Sequence, residues 1–332
     1  MKVLTRFKQG GGLRLVRTFV RMGLFPDLLK VGYNVLFRKK RYQEQYAKLV
    51  NKVEPLLVEE FTPWVDIINK SIEEPEHKND TVEENQCVWF CWLQGMDKAP
   101  KMVKACLESQ RKWLKDKIFH IITAESYKEY ISLPQFVEEK YAKGIIPNAL
   151  FSDLIRIELL TKYGGTWIDA TVMITGDNYP KEIFDCPLFM PQYVNGEGIQ
   201  VGISNWMITA CRGNLQLMLL REMLYEYWRR YDCVVDYYIF HLFFTMIARK
   251  YPDEVVAMPL LNSFNCIELL KHLGEHDQSD KLQRFLSKVS IHKLSCRISE
   301  DVLEDKENIL HDLWKHTLIF DMSSTTDAWQ NV

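Results

Sequence analysis

The sequence has no CxxC pair. Its eight cysteines, at 87, 91, 106, 186, 211, 233, 266 and 296, mostly sit beside apolar neighbours. That spacing excludes a zinc ribbon or a disulfide framework and reads as free thiols in a reducing compartment. No run of eighteen uncharged apolar residues occurs, so no membrane-spanning helix is expected. The N-terminus lacks the long apolar core and small-residue cleavage site of a secretory signal. No GxxxxGK(S/T) loop and no paired-metal carboxylate set is present, which turns the reading away from phosphotransferases and nucleotidyltransferases. Charge is not in excess either: the formal net charge of −2 argues against a nucleic-acid partner. There is no internal repeat and no low-complexity tract. A cytoplasmic protein is the expectation.

What is present is a chain of 332 residues with 12% aromatics, long enough to bury a large core and too aromatic to be disordered. Its charge is unevenly spread. Six Lys and six Arg in the first fifty residues face only Asp27 and Glu44, a local balance of +10. Within residues 13–41, Leu, Val, Phe and Met alternate with Arg and Lys at roughly helical spacing. Such a basic amphipathic segment can lie in an anionic membrane surface, or pack on the domain with its charges in water. Residues 13–34 and 41–72 read as helices, with Pro63 compatible with a helix start. The acidic run at 73–84 reads as a linker. The expected division is therefore 1–85, helical and basic, and 86–332, the catalytic domain.

The run CVWFCWL (87–93) is too apolar for a surface segment and reads as a first core strand. A helix after Pro100, a strand over 117–126, and helices over 134–142 and 148–162 follow. Gly164 and Gly165 close the last of these, and TWIDATVMI (166–174) reads as a further strand. This order predicts an α/β fold with a mostly parallel sheet. PLFMPQYV and VGISNWMITAC read as later strands. Residues 215–231, 236–251 and 279–288 read as helices, the first two so aromatic that packing is their plain reading.

Ligands of parallel sheets sit outside the carboxyl ends of the strands, where Asp169 falls. Asp153 and Arg156, three apart, share one face of the preceding helix. Two carboxylates and a guanidinium suit a ligand with hydroxyls and a phosphate, although Asp153–Arg156 also fits an ordinary surface pair. His292 and Lys293 are a late pair able to touch a diphosphate, and a lone His beside apolar residues also fits the core. Asp236, at the head of an aromatic helix, either caps that helix or faces an acceptor.

The run FSDLIRIELLTKYGGTWIDATV (151–172) resembles the signature of the capsular polysaccharide synthesis protein family, within the DXD-containing sugar transferases that include Och1-like mannosyltransferases and glucosylating toxins. Ser152, Asp153, Arg156, Gly164, Gly165, Trp167 and Asp169 match it one by one. The resemblance implies a GT-A-like, Rossmann-like nucleotide-sugar-binding domain with helical additions. It also implies a UDP-sugar donor, a divalent ion (Mn²⁺ or Mg²⁺), retention of configuration, and a lipid-linked or growing surface-polysaccharide acceptor at the inner face of the membrane. Trp89, Trp92, Gln94 and Gly95 become candidates for the uridine side, and Asn205 for donor or acceptor. Asp153 and Arg156 would hold sugar and phosphate. Asp169, with Ala170 and Thr171, would hold ribose or metal.

The departure is Thr171, a hydroxyl where a DXD carries its second carboxylate. Hard divalent ions want carboxylates. Asp169 could bind the ion with waters and the diphosphate, another carboxylate could replace the missing one, or a cation such as Lys293 could neutralise the diphosphate instead. A catalytically inactive assembly protein with the same fold is the alternative that Thr171 supports.

Overall fold

The computed structural model describes residues 11–37, 41–71, 86–197, 200–276 and 280–317. Three helices come first, α1 (Leu13–Arg21), α2 (Phe25–Phe37) and α3 (Tyr42–Ser71). Strand β1 (Cys87–Cys91), helix α4 (Lys101–Trp113) and strand β2 (Ile118–Ile122) follow, then α5 (Gln135–Ala142) and α6 (Asn148–Tyr163). Next are β3 (Gly165–Ile168), β4 (Val172–Ile174), β5 (Leu188–Phe189), β6 (Gln192–Val194), β7 (Gln200–Ile203) and β8 (Met207–Ala210). The remaining longer elements are α7 (Leu215–Arg230), α8 (Ile239–Lys250), α9 (Ser263–Glu268), α10 (Lys281–Lys288), β9 (Ile291–Lys293) and α11 (Ile309–Thr317).

These elements fall into two units. One comprises residues 1–85, 125–165 and 210–258; the other comprises 86–124, 166–209 and 259–332. The chain thus passes between the units at five points.

The second unit holds a five-stranded sheet in the order β2-β1-β3-β8-β5. β1 runs parallel to both neighbours, with Trp89 opposite His120 on one side and Trp167 on the other. A parallel strand is covered on both faces, which accounts for the unbroken apolar run of β1. Val88, Ile168, Ile174, Phe189 and Met207 share one buried cluster beneath it. β4 leaves this sheet and pairs antiparallel with β9, Val172 opposite Lys293. α4 braces β4: the Ser109 hydroxyl accepts from the Ile174 amide at 3.1 Å, and the Gln110 amide donates to the Val172 carbonyl at 2.8 Å.

The expected single strand 166–174 is therefore two strands in two sheets, parted by a turn at 169–171. PLFMPQYV and VGISNWMITAC are likewise each split into two short strands.

The other unit is helical. The helix expected over 13–34 is broken at Gly23, whose φ of 72° an L side chain resists. α3 runs unbroken through Pro55 and Pro63, so Pro63 starts no helix. Leu57, Phe61 and Val65, at four-residue spacing and all buried, hold this stretch to its neighbours. Phe61 packs its ring 4.7 Å from Phe243 and near Tyr227 and Tyr231, which confirms the packing role of the aromatic helices α7 and α8. Residues 38–40 of the basic segment and the acidic run 73–84 lie outside the described residues.

Candidate active site

The site is built on the turn between β3 and β4. The Asp169 amide donates to the Trp206 carbonyl at 2.8 Å, and the Val172 amide closes the turn on the Asp169 carbonyl at 3.0 Å. This fixes the backbone just past the end of β3. Its side chain is also held: Oδ1 accepts from the Trp167 indole N–H at 2.9 Å, and Oδ2 lies 3.3 Å from Lys293 Nζ. Lys293 donates to Thr171 Oγ1 at 2.5 Å. The two side chains meet because the β4–β9 ladder puts Lys293 opposite Val172, and the Leu294 amide bonds the Thr171 carbonyl at 2.8 Å. Asp169 and Lys293 are each about a quarter exposed, 24% and 23%, whereas Thr171 and Ala170 are buried. Asn205 is half-buried, one residue before the Trp206 carbonyl that fixes Asp169.

His292 is a correction. Successive strand residues face opposite ways, so the neighbour of Lys293 turns inward. It is fully buried, its Nε2 3.1 Å from Thr175 Oγ1, and burial pushes its pKa down to about 4. It is a core histidine and not a diphosphate contact.

Parallel pairing of β1 and β3 sets their carboxyl ends at one edge of the sheet. The turn after β1 is thereby a neighbour of Asp169 along that edge. Gly95 takes a φ of 82° there and donates to the Trp92 carbonyl at 3.0 Å, while Gln94 is exposed. Trp92 packs on the cluster of Phe90, Val103 and Leu107. Its indole N–H is buried and has no hydrogen-bond partner among the described residues. Trp89 is a second correction: it is buried and stacks on His120 at 4.7 Å, because both faces of β1 are covered. Its ring is not offered to a base.

Asp153 and Arg156 belong to the helical unit. Arg156 Nη1 lies 3.1 Å from Asp153 Oδ1, with both side chains nearly sealed from water, 5% and 11% exposed. The surface-pair alternative is thereby excluded. A buried ion pair gains little over apolar packing, so its presence needs a reason other than stability. The guanidinium sits 5.9 Å from the Phe240 ring centre. Burial first, and the Arg156 charge second, push the His241 pKa down to about 4. Asp236 is buried and accepts from the Tyr238 amide at 2.9 Å in the turn before α8, but the N-cap residue of that helix is Tyr238, with no side-chain cap hydrogen bond, so Asp236 does not cap it.

A model of the capsular polysaccharide synthesis protein family matches residues 34–313. The chain belongs to that family. Membership covers the enzyme class that the run 151–172 implies, a glycosyltransferase. Similar solved structures include the PaToxG glycosyltransferase, at 14% identity over 60% of this chain and 79% of that one, with a TM-score of 0.38. Another is the apo form of the glycosyltransferase GlyE of Streptococcus pneumoniae TIGR4, at 13% identity and a TM-score of 0.39, covering 71% of this chain and 60% of GlyE's length. No curated protein matches the chain.

The residues at the turn 169–171 do not fit a divalent ion. They are one carboxylate, one neutral hydroxyl, and an ammonium placed against both. A hard cation needs several anionic or carbonyl oxygens and is repelled by the ammonium. Among the described residues no group of three or more His, Cys, Asp or Glu is placed to hold a metal.

Sequence reading gave Trp167 only a place in the motif and missed its grip on Asp169. Its position two residues before the Asp, on an apolar strand, was the available signal. His241 and Phe240 beside Arg156 were missed as well, hidden in an aromatic run that carries no spacing signature.

Proposed function

We propose that this protein transfers a hexose-type sugar from a nucleotide-sugar donor, a UDP-sugar by resemblance, to a lipid-linked or growing surface polysaccharide. Retention of anomeric configuration follows from the resemblance alone. The observation that carries the reading is Asp169, fixed by Trp167 and Lys293 just past β3, at the sheet edge where α/β proteins bind nucleotides. A carboxylate there accepts ribose or sugar hydroxyls, and the adjacent ammonium faces developing negative charge on a departing diphosphate. Catalysis of this kind is mainly positioning and charge stabilisation. The buried Trp92 indole N–H at the same edge supports a place for the base. For Asp153 and Arg156, which pair with each other nearly sealed from water, the sugar- and phosphate-holding roles rest on the resemblance alone.

The membrane half of the proposal rests on α1 and α2. Leu29, Tyr33, Leu36 and Phe37 form an exposed apolar stripe, with Arg14, Arg17 and Lys30 on the same two helices. Among the described residues no helix is long and apolar enough to cross a membrane. A surface contact with anionic lipid at the inner face suits these helices and a lipid-linked acceptor.

The inactive-protein alternative draws on Thr171. Release of nucleoside diphosphate from a panel of UDP- and GDP-sugars, compared with the Asp169→Ala variant, separates the two. One donor that turns over, and stops doing so in Asp169→Ala, supports the transferase.

A further inference from the structure

This inference rests on the donor reading above and concerns the charge that holds the donor. We infer that Lys293 is the built-in cation of this site, and that the protein binds its nucleoside diphosphate without a divalent ion. The Lys293 ammonium touches both residues that hold the outer positions of the DXD-like turn, Asp169 at 3.3 Å and Thr171 at 2.5 Å. It occupies the place where a coordinated ion would need those oxygens. An ammonium has three N–H donors. The hydrogen bond to Thr171 engages one of them, and the ion pair with Asp169 still leaves the ammonium able to donate to a phosphate oxygen.

A purely structural pair does not account for this arrangement. The β4–β9 ladder is held by backbone bonds and by the buried side chains of Val172, Ile174 and Ile291, none of which needs Lys293. An ion pair a quarter exposed adds little to stability. The exposure that makes it a weak staple leaves the ammonium accessible to a ligand. Thr171 completes the argument. A second carboxylate at this position would surround the ammonium with negative charge and favour a divalent ion, whereas a hydroxyl orients the ammonium and leaves its charge for the diphosphate. Asp169 then acts partly as a positioning residue for Lys293.

The test is calorimetric titration of UDP, and separately GDP, into the full chain, once after exhaustive EDTA treatment and once with excess Mn²⁺. Wild-type affinity should agree between the two conditions to within about threefold. Lys293→Met should weaken binding by about tenfold to a hundredfold in both, with no rescue by Mn²⁺, since a charge-assisted bond is lost. Lys293→Arg, which keeps the charge, should stay much closer to wild type. A fall of about tenfold or more on EDTA treatment, reversed by Mn²⁺, would overturn the inference and leave the transferase reading standing. Wild-type affinity in a folded Lys293→Met variant would overturn it too. The EDTA comparison needs no variant, so a misfolded substitution cannot hide the answer. Failure of both nucleotides to bind under either condition would overturn the inference and the donor reading together.

Discussion

Asp169 is fixed through four of its atoms: the amide to Trp206, the carbonyl to Val172, and the two carboxylate oxygens to Trp167 and Lys293. Few solvent-reachable carboxylates are so constrained, and constraint is what a charge used for positioning requires. His292, one residue from Lys293, behaves oppositely. Its folded-state pKa of about 4 lies below the ordinary histidine value, so the folded state resists protonation while the unfolded state accepts it. The stability it contributes is fully present above about pH 6.5 and is lost as pH falls towards 4. His241, also at about 4, adds in the same direction. Urea unfolding should therefore give a steep loss of stability between pH 6.5 and 4.5, and His292→Gln should flatten that slope by up to one proton. An unchanged slope in the variant would mean that His292 titrates normally. At this scale the sequence was partly legible. The SDxxR and GGxWxD spacings pointed to Asp153, Arg156 and Asp169 because their chemistry depends on local spacing. The pairing of Lys293 with Thr171, 122 residues apart, is set by a strand pair that no local pattern announces. For the same reason His292 and Lys293 looked equivalent until the ladder assigned one inward and one outward.

Among the elements, the end of α6 depends on its glycine. Gly164 leaves the helix with φ 71°, and a Cβ built there would come within 2.9 Å of the Arg212 amide nitrogen. Backbone that close cannot yield cheaply. Gly164→Ala should cost roughly 2–4 kcal/mol, from the positive φ together with the clash, and lower the melting temperature. A melting point equal to wild type would mean that this helix end is less rigid than described. The double glycine was readable as a helix stop, since only glycine meets this backbone freely. The split of 166–174 into β3 and β4 was not readable, because both halves are equally apolar and only their different partners distinguish them. Helices α9 and α11 escaped notice for a similar reason: each is short, and each is specified by packing more than by periodicity.

The exposed stripe of α2 carries a second expectation at this scale. The Tyr33 and Phe37 rings lie 5.1 Å apart, and Phe37 is 71% exposed. Sedimentation with anionic vesicles should capture the protein more strongly than with neutral ones, and added salt should weaken the capture. Leu36→Asp with Phe37→Asp should reduce it by about a hundredfold or more, since burial of each large side chain contributes about 1.5–3 kcal/mol and a factor of ten is about 1.4 kcal/mol. Equal capture of wild type and double variant would remove α2 from the membrane account.

For the whole molecule, the α/β class and the parallel core were legible from alternating apolar runs and helical periods. The exchange of chain between two units was not. No local pattern in segments 125–165 and 210–258 assigns them to a unit, because that grouping is decided by tertiary packing. Family membership and the geometry at Asp169 meet in one claim, that this chain binds a nucleotide sugar through that carboxylate. The most direct measurement is binding of a UDP- and GDP-sugar panel to the purified full chain and to Asp169→Ala, read by saturation-transfer NMR. The account expects signal from at least one donor, weakened or lost in the variant while the fold is retained. Absence of binding by every nucleotide sugar, or equal binding by wild type and variant, would contradict it.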